Sequence, residues 1–284
     1  MIKNLVVFCK CQSRKDAPEW IKTARYLEGR EDIPSVSLTD LCGWCALSPQ
    51  RFINLISQAS TVLIIACHPR AVKLLLQQAG IADLKKIKFF NLLDNSHEKL
   101  FSDHKDFRDL PFRPGKKSEN KKYLAGMEQE LVSGDHINAD PLWPAWYPVI
   151  DPDRCNACGQ CADFCLFGVY QKTKDKVTVI NPQGCKNNCP ACARICPRIA
   201  IVFPKYAPGG PIGGSDSIDE TLELQRQQQD SASILGNDIY QALEQRKMKR
   251  RSVIREDVMK EAIRERDEKL GAGSGKDTKK RKVD

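Results

Sequence analysis

No stretch of this 284-residue chain approaches the ~20 consecutive apolar residues of a membrane-spanning helix, so no span is expected. The opening run, Met1-Ile2-Lys3-Asn4-Leu5-Val6-Val7-Phe8, is too short for a secretion leader, and no small-residue cleavage site follows it. Glycine never occurs as Gly-x-Gly-x-x-Gly between a strand and a helix, nor in the pattern of a P-loop, so neither a flavin nor a nucleotide is expected. The Gly-rich stretch from Gly209 to Gly214 follows a proline and precedes a polar run, which reads as a linker. Histidine is scarce, with four residues in all. His97, His104 and His136 lie in a polar connector without a spacing that pairs them, and read as solvent-facing.

Cysteine is what the chain has instead. Eight of its thirteen cysteines form two runs, Cys155-x2-Cys158-x2-Cys161-x3-Cys165 and Cys185-x3-Cys189-x2-Cys192-x3-Cys196-Pro197. Three closely spaced thiolates wrap a loop around one iron–sulfur cube, and the fourth starts a short helix aimed at a second cube. A zinc ribbon needs only paired Cys-x2-Cys, with no third cysteine in each run. Disulfides suit such crowded spacing less well, and free thiolates point to a cytoplasmic protein. Short β-branched stretches flank the runs at 147–150, 168–171, 176–180 and 199–203. The segment 147–206 resembles the bacterial-type two-cluster [4Fe–4S] ferredoxins. That resemblance implies one cluster on Cys155, Cys158, Cys161 and Cys196, and the other on Cys165, Cys185, Cys189 and Cys192. The segment departs from the family in the three residues between Cys185 and Cys189, and in Leu166, where proline is usual.

Residues 1–95 alternate apolar strand runs with helical segments, which predicts a small parallel sheet covered on both faces. The expected strands are 5–8, 35–38, 61–66 and 87–90. The expected helices are 16–29, 49–57 and 70–79. The other five cysteines, Cys9, Cys11, Cys42, Cys45 and Cys67, all follow strand ends, and in a parallel sheet those ends share the ligand-binding edge. Inert buried thiols explain one or two of them, but a metal or cluster site explains the whole set. Iron suits an all-sulfur set better than zinc does. Val6-Val7-Phe8-Cys9-Lys10-Cys11, Cys45-Ala46-Leu47-Ser48-Pro49-Gln50 and Ile65-Ala66-Cys67-His68-Pro69-Arg70 resemble the N-terminal domain of the heterodisulfide reductase A subunit, without its flavin domain. The resemblance implies a third iron–sulfur cluster on Cys9, Cys11, Cys45 and Cys67, with Cys42 spare or as a substitute.

The expected organisation is thus an α/β domain (1–95), a connector (96–146), an α+β two-cluster ferredoxin domain (147–206), and a linker with a helical or disordered tail (207–284). In the connector, Tyr123, Leu124, Met127 and Leu131 fall on one face of a helix over 117–132, while Trp143 and Trp146 are expected to pack on the ferredoxin strand. The tail carries sparse apolar residues, which fits a segment that folds onto a redox partner. Its final Lys279-Lys280-Arg281-Lys282 reads as a solvated basic end. Each cluster with its four thiolates carries a net negative charge, which lowers the formal +9 to about +5, so nucleic acid is not expected as a partner. The function expected first is electron transfer to or from a partner oxidoreductase, as a subunit rather than a stand-alone enzyme and with no catalytic acid, base or nucleophile. The second is a reductase acting on a disulfide or other small substrate at the N-terminal thiols, and the third is a sensor with structural clusters.

Overall fold

A computed structural model of the chain describes residues 2–28, 34–81, 83–100 and 143–235, with positions 241, 244, 245 and 248 beyond them. The expected helix at 117–132, His104, His136 and the basic C-terminal run lie outside the described residues.

Four parallel strands in the order β2-β1-β3-β4 form the N-terminal sheet: β1 (Ile2–Cys9), β2 (Ser35–Leu38), β3 (Ala59–Ala66) and β4 (Ile87–Asn91). Successive side chains of a strand point to opposite faces, so a strand covered on both sides must be apolar throughout. Leu5, Val7, Val62 and Ile64 face one core, and Val6, Phe8, Leu63 and Ile65 face the other. The second core is closed by Trp20 and Leu27 of helix α1 (Pro18–Glu28). Helices α2 (Leu41–Leu47), α3 (Pro49–Ser57) and α4 (Pro69–Gln78) close the first. Proline stands at the start of α1, α3 and α4, where a missing N–H costs nothing.

Helix α2 corrects one expectation. The segment after β2 is not an open strand-end loop, because Asp40 caps a helix by accepting from the Cys42 and Gly43 amides at 3.1 and 3.4 Å. Cys42 and Cys45 therefore lie inside a helix, and Cys9 is the last residue of a strand rather than a residue beyond it. Only Cys11 and Cys67 sit in the connections themselves.

The cysteine-rich region is built from two antiparallel pairs, β5 (Val149–Ile150) with β8 (Ile201–Val202) and β6 (Tyr170–Lys172) with β7 (Val177–Val179). Short helices α5 (Gln160–Phe164) and α6 (Ala191–Arg194) lie within the two cysteine runs. Trp146 stacks on Phe203 with ring centroids 5.0 Å apart, and Trp143 stacks on Tyr147 at 5.9 Å. Ala145, Tyr147, Val149 and Val202 are also members of the first N-terminal core. The α/β unit and the cysteine-rich unit thus share apolar interior.

The stretch read as a linker is also corrected. Helix α7 (Gly210–Gly213) buries Pro211 and Ile212, and the Ile212 carbonyl accepts from the Phe203 amide at 2.7 Å. Gly209 and Gly210 have positive φ, which explains the glycines as backbone requirements of a packed turn. Helix α8 (Glu220–Leu235) follows, capped by Asp219 and tied to the cysteine-rich unit by Arg154–Glu220 (2.8 Å) and by Gln227 donating to the Ile195 carbonyl (3.3 Å). Among the described residues, no helix is long and apolar enough to cross a membrane.

Candidate metal centres

The two cysteine runs fold as loops that lead into α5 and α6. Their backbone is unusual where the loops turn most tightly. Ala157, Asn188 and Ile199 are non-glycine residues with positive φ, and each lies within three residues of a cysteine of the runs. For a β-branched residue such as Ile199 this conformation is strained, and it persists only where the surroundings impose it. Asn188 is part of the longer Cys185–Cys189 connection, so the extra residue is absorbed by a left-handed turn.

The eight thiols fall into two sets that do not follow the two runs. One cavity is lined by Cys155, Cys158, Cys161 and Cys196, together with Ile150, Val177, Ala200 and Ile201. A second is lined by Cys165, Cys185, Cys189 and Cys192, with Phe164, Leu166, Phe167 and Tyr170. The last cysteine of each run is exchanged between the sets. The charges on Cys161 and Cys185 follow this grouping, while Cys192 is acted on by Cys161 of the first set as well as by Cys185 and Cys165 of its own. Burial and the neighbouring Cys196, Cys158 and Cys155 sulfurs push Cys161 up to about 12. Burial with Cys165 and Cys189 pushes Cys185 up to about 12 as well. Bringing four thiolates together is costly without a cation, and a metal centre replaces the protons that hold the thiols neutral. The donor set of each cavity, four sulfurs and no other charged ligand, fits an iron–sulfur cluster.

Hydrogen-bond donors to the cysteine sulfurs are already in place. The Tyr170 hydroxyl donates to Cys192 Sγ at 3.0 Å, and the Ala200 amide donates to Cys196 Sγ at 3.4 Å. Burial, followed by the neighbouring sulfurs, holds the Tyr170 hydroxyl protonated well beyond its ordinary range. It therefore remains a donor. Such bonds orient ligands and tune the metal they hold.

At the sheet edge the structure brings together four of the five N-terminal thiols. Cys9 and Cys11 are hydrogen-bonded to each other, and that bond, burial and the nearby Cys11 and Cys42 sulfurs raise Cys9. Cys42 is raised by burial, then by Asp40, with Cys67 and Cys11 also acting on it. Cys67 is pushed up to about 12 by burial first and Cys11 second. Cys45 is different: burial raises it, and the charge that acts on it is that of Asp40. Cys11 alone is lowered, to about 7, by its bond from Cys9 and by the Lys205 ammonium against opposing burial. By these mutual influences Cys42, in helix α2, groups with Cys9, Cys11 and Cys67, while all five thiols belong to or pack against the same core. Periodicity hid that helix because Leu41-Cys42-Gly43-Trp44-Cys45 is short and carries a glycine.

Sequence reasoning also missed Lys205, Asp40 and Tyr147. Lys205, with a side chain 4% exposed, reaches from the cysteine-rich unit to the Asp40 carboxylate and the Pro144 carbonyl. The Tyr147 hydroxyl donates to the Cys42 carbonyl at 2.7 Å. No local pattern signals these contacts, since they join residues 61, 105 and 165 positions apart. Among the described residues, no three His, Cys, Asp or Glu side chains converge as ligands of a single metal ion. A cubane spreads its thiolates over four irons and asks for the wider grouping seen in the two cavities.

Residues 148–168, which hold the first run, match the family of 4Fe-4S binding domains. The chain is also similar to an uncharacterized ferredoxin of Methanocaldococcus jannaschii, with 46% identity over 61 residues. That alignment covers 21% of this chain and 42% of the relative, so the chain spans less than half the length of the curated relative it matches. No solved structure matches the chain. The cysteine-rich segment is an iron–sulfur domain of ferredoxin type that holds at least one [4Fe–4S] cluster.

Proposed function

We propose that the protein transfers electrons through two [4Fe–4S] clusters to or from a partner oxidoreductase. Cys155, Cys158, Cys161 and Cys196 hold one cluster, and Cys165, Cys185, Cys189 and Cys192 hold the other. The observation that carries this reading is the pair of cavities, each lined by four thiols with the last cysteine of each run exchanged. When bound, each cluster supplies a one-electron redox centre; the chain supplies ligands, an apolar shell and donors to sulfur. No side chain has to act as acid or base. Iron analysis and electron paramagnetic resonance of the anaerobically reconstituted full chain test the reading. At least eight irons and two interacting paramagnets on reduction are expected, and a single [4Fe–4S] signal or stoichiometric zinc would overturn it.

The N-terminal thiols extend the proposal. Cys9, Cys11 and Cys67 hold a third iron–sulfur centre, and Cys42 takes the place that family resemblance gives to Cys45. The alternative function is a reductase at the same edge. It is favoured by Cys11, which is partly exposed, lowered to about 7 and paired with Cys9, as a reactive thiol next to a resolving one is. Free alkylation of Cys11 in iron-loaded protein supports the reductase, and protection supports the cluster. Partner recognition is assigned to the C-terminal segment, where α8 exposes Leu222 and Leu224.

A further inference from the structure

We infer that Arg70, on the α/β unit, is a positioning residue for the cluster held by Cys155, Cys158, Cys161 and Cys196, so that the α/β unit tunes that cluster. The inference rests on the two-cluster reading.

Arg70 stands in the first turn of α4, three residues after Cys67, and its side chain is 12% exposed. Its Nε and Nη2 both donate to Asp151 Oδ2, at 3.2 and 2.9 Å. Nη1 donates to the Pro211 carbonyl at 3.2 Å, and Nη2 also reaches the Ile199 carbonyl at 3.5 Å. A guanidinium has the planar set of donors this needs; an ammonium does not.

The acceptors are what make the contact informative. The Asp151 carbonyl accepts from the Cys155 amide at 3.0 Å. The Asp151 amide donates to the Ala200 carbonyl at 2.8 Å, and the Ala200 amide donates to Cys196 Sγ. Ile199 is the strained residue of the Cys196 loop, and its amide donates to the Cys196 carbonyl at 3.2 Å. One side chain therefore grips both segments that must meet for the exchanged ligand Cys196 to join Cys155. None of its acceptors lies in the loops of the other set. Arg70 and Asp151 also form a largely buried ion pair beside this site, so removing either partner leaves an uncompensated charge near the cluster. The two changes then have opposite electrostatic signs.

The test uses the full chain, reconstituted anaerobically, with redox titration followed by electron paramagnetic resonance. Cys196→Ser identifies which signal belongs to the first-run cluster. Arg70→Gln is expected to lower that cluster's potential and Asp151→Asn to raise it, each by about tenfold in the reduction equilibrium, or about 59 mV for one electron. The second-run cluster is expected to stay within twofold of wild type. Arg70→Lys keeps the charge but not the fork, and is expected to alter the line shape of the first-run signal with a smaller shift in potential. A merely structural arginine gives equal losses of both clusters or unchanged potentials in all three variants, and either result overturns the inference. Should the Gln and Asn variants not fold, an unchanged line shape and potential in Arg70→Lys overturns it too. Wild-type protein with fewer than two clusters sinks instead the reading on which the inference stands.

Discussion

The cysteine-rich unit and the sheet edge gather thiols by opposite routes. In the former, short loops between nearby cysteines fix the grouping, and six of the eight thiols are partly open and one is exposed. In the latter, residues 9, 11, 42 and 67 meet only because three strands and a helix converge, and Cys9, Cys42 and Cys45 are buried. A site coded by spacing tolerates errors in the fold around it. An edge assembled by topology does not, and a single short helix decides which thiol it presents there.

The largest expected effect tests the exchange of ligands within the spacing-coded site. Cys196→Ser should remove the signal of the cluster carried mainly by the first run, with a loss of up to four irons per chain, and leave the other intact. Loss of the second-run cluster instead would mean that each run serves its own centre. Next comes the topology-coded edge. On the proposed reading, Cys42→Ser and Cys67→Ser should each abolish iron bound beyond that of the cysteine-rich unit, while Cys45→Ser should retain it. Iron counts on the full chain, before and after mild chelation, distinguish these outcomes. The experiment needs the full chain because Tyr147, Val149 and Val202 complete the core of the α/β unit.

Much of this architecture was legible in the sequence, and the failures have specific causes. Strand β2 and helix α3 have the boundaries read from the sequence, and β3 and α4 are displaced by one or two residues, because long apolar periodicity leaves little choice. Helix α2 was not legible: seven residues span barely two turns, and its start depends on the Asp40 cap rather than on an apolar stripe. Glycine and proline at 208–214 read as a linker because composition cannot distinguish a solvated chain from a buried tight turn. The gathering of the eight thiols into two sets was legible because their spacing brings them together. Arg70, Lys205 and Tyr147 were not, since nothing local announces a contact across the seam.

That seam makes the two units dependent, and truncation measures by how much. Ending the chain at Ala207 removes the buried Ile212, its bond to the Phe203 amide, one acceptor of Arg70 and the Arg154–Glu220 pair. Burial of the isoleucine and the lost hydrogen bonds together suggest a cost of about 3 kcal/mol. Thermal unfolding of the cluster-loaded protein should show a lower midpoint for both units together. A truncated protein as stable as the full chain would show that α7 and α8 merely decorate the domain.

The smallest effect probes the α/β unit on the face away from the seam. Glu19 accepts from the His97 amide at 2.7 Å and from Lys22 Nζ at 3.1 Å. The His97 amide first, then Lys22, lower its carboxyl to about 2 from an ordinary 4.5. A carboxyl depressed in the folded state binds its proton more readily when unfolded. Its contribution is therefore complete above about pH 4.5 and is lost as the pH falls toward 2. The group is partly exposed, so solvent screening reduces its worth to roughly 0.5 kcal/mol. Glu19→Gln should lower stability slightly at pH 6 and match wild type near pH 2, with the difference between the two proteins read at each pH to cancel acid loss of the clusters. Because Glu19 touches neither thiol site nor the seam, the cluster spectra at pH 7 should not change. A shifted spectrum would show that the far face of the sheet reaches the metal centres and that the α/β unit responds as a single body.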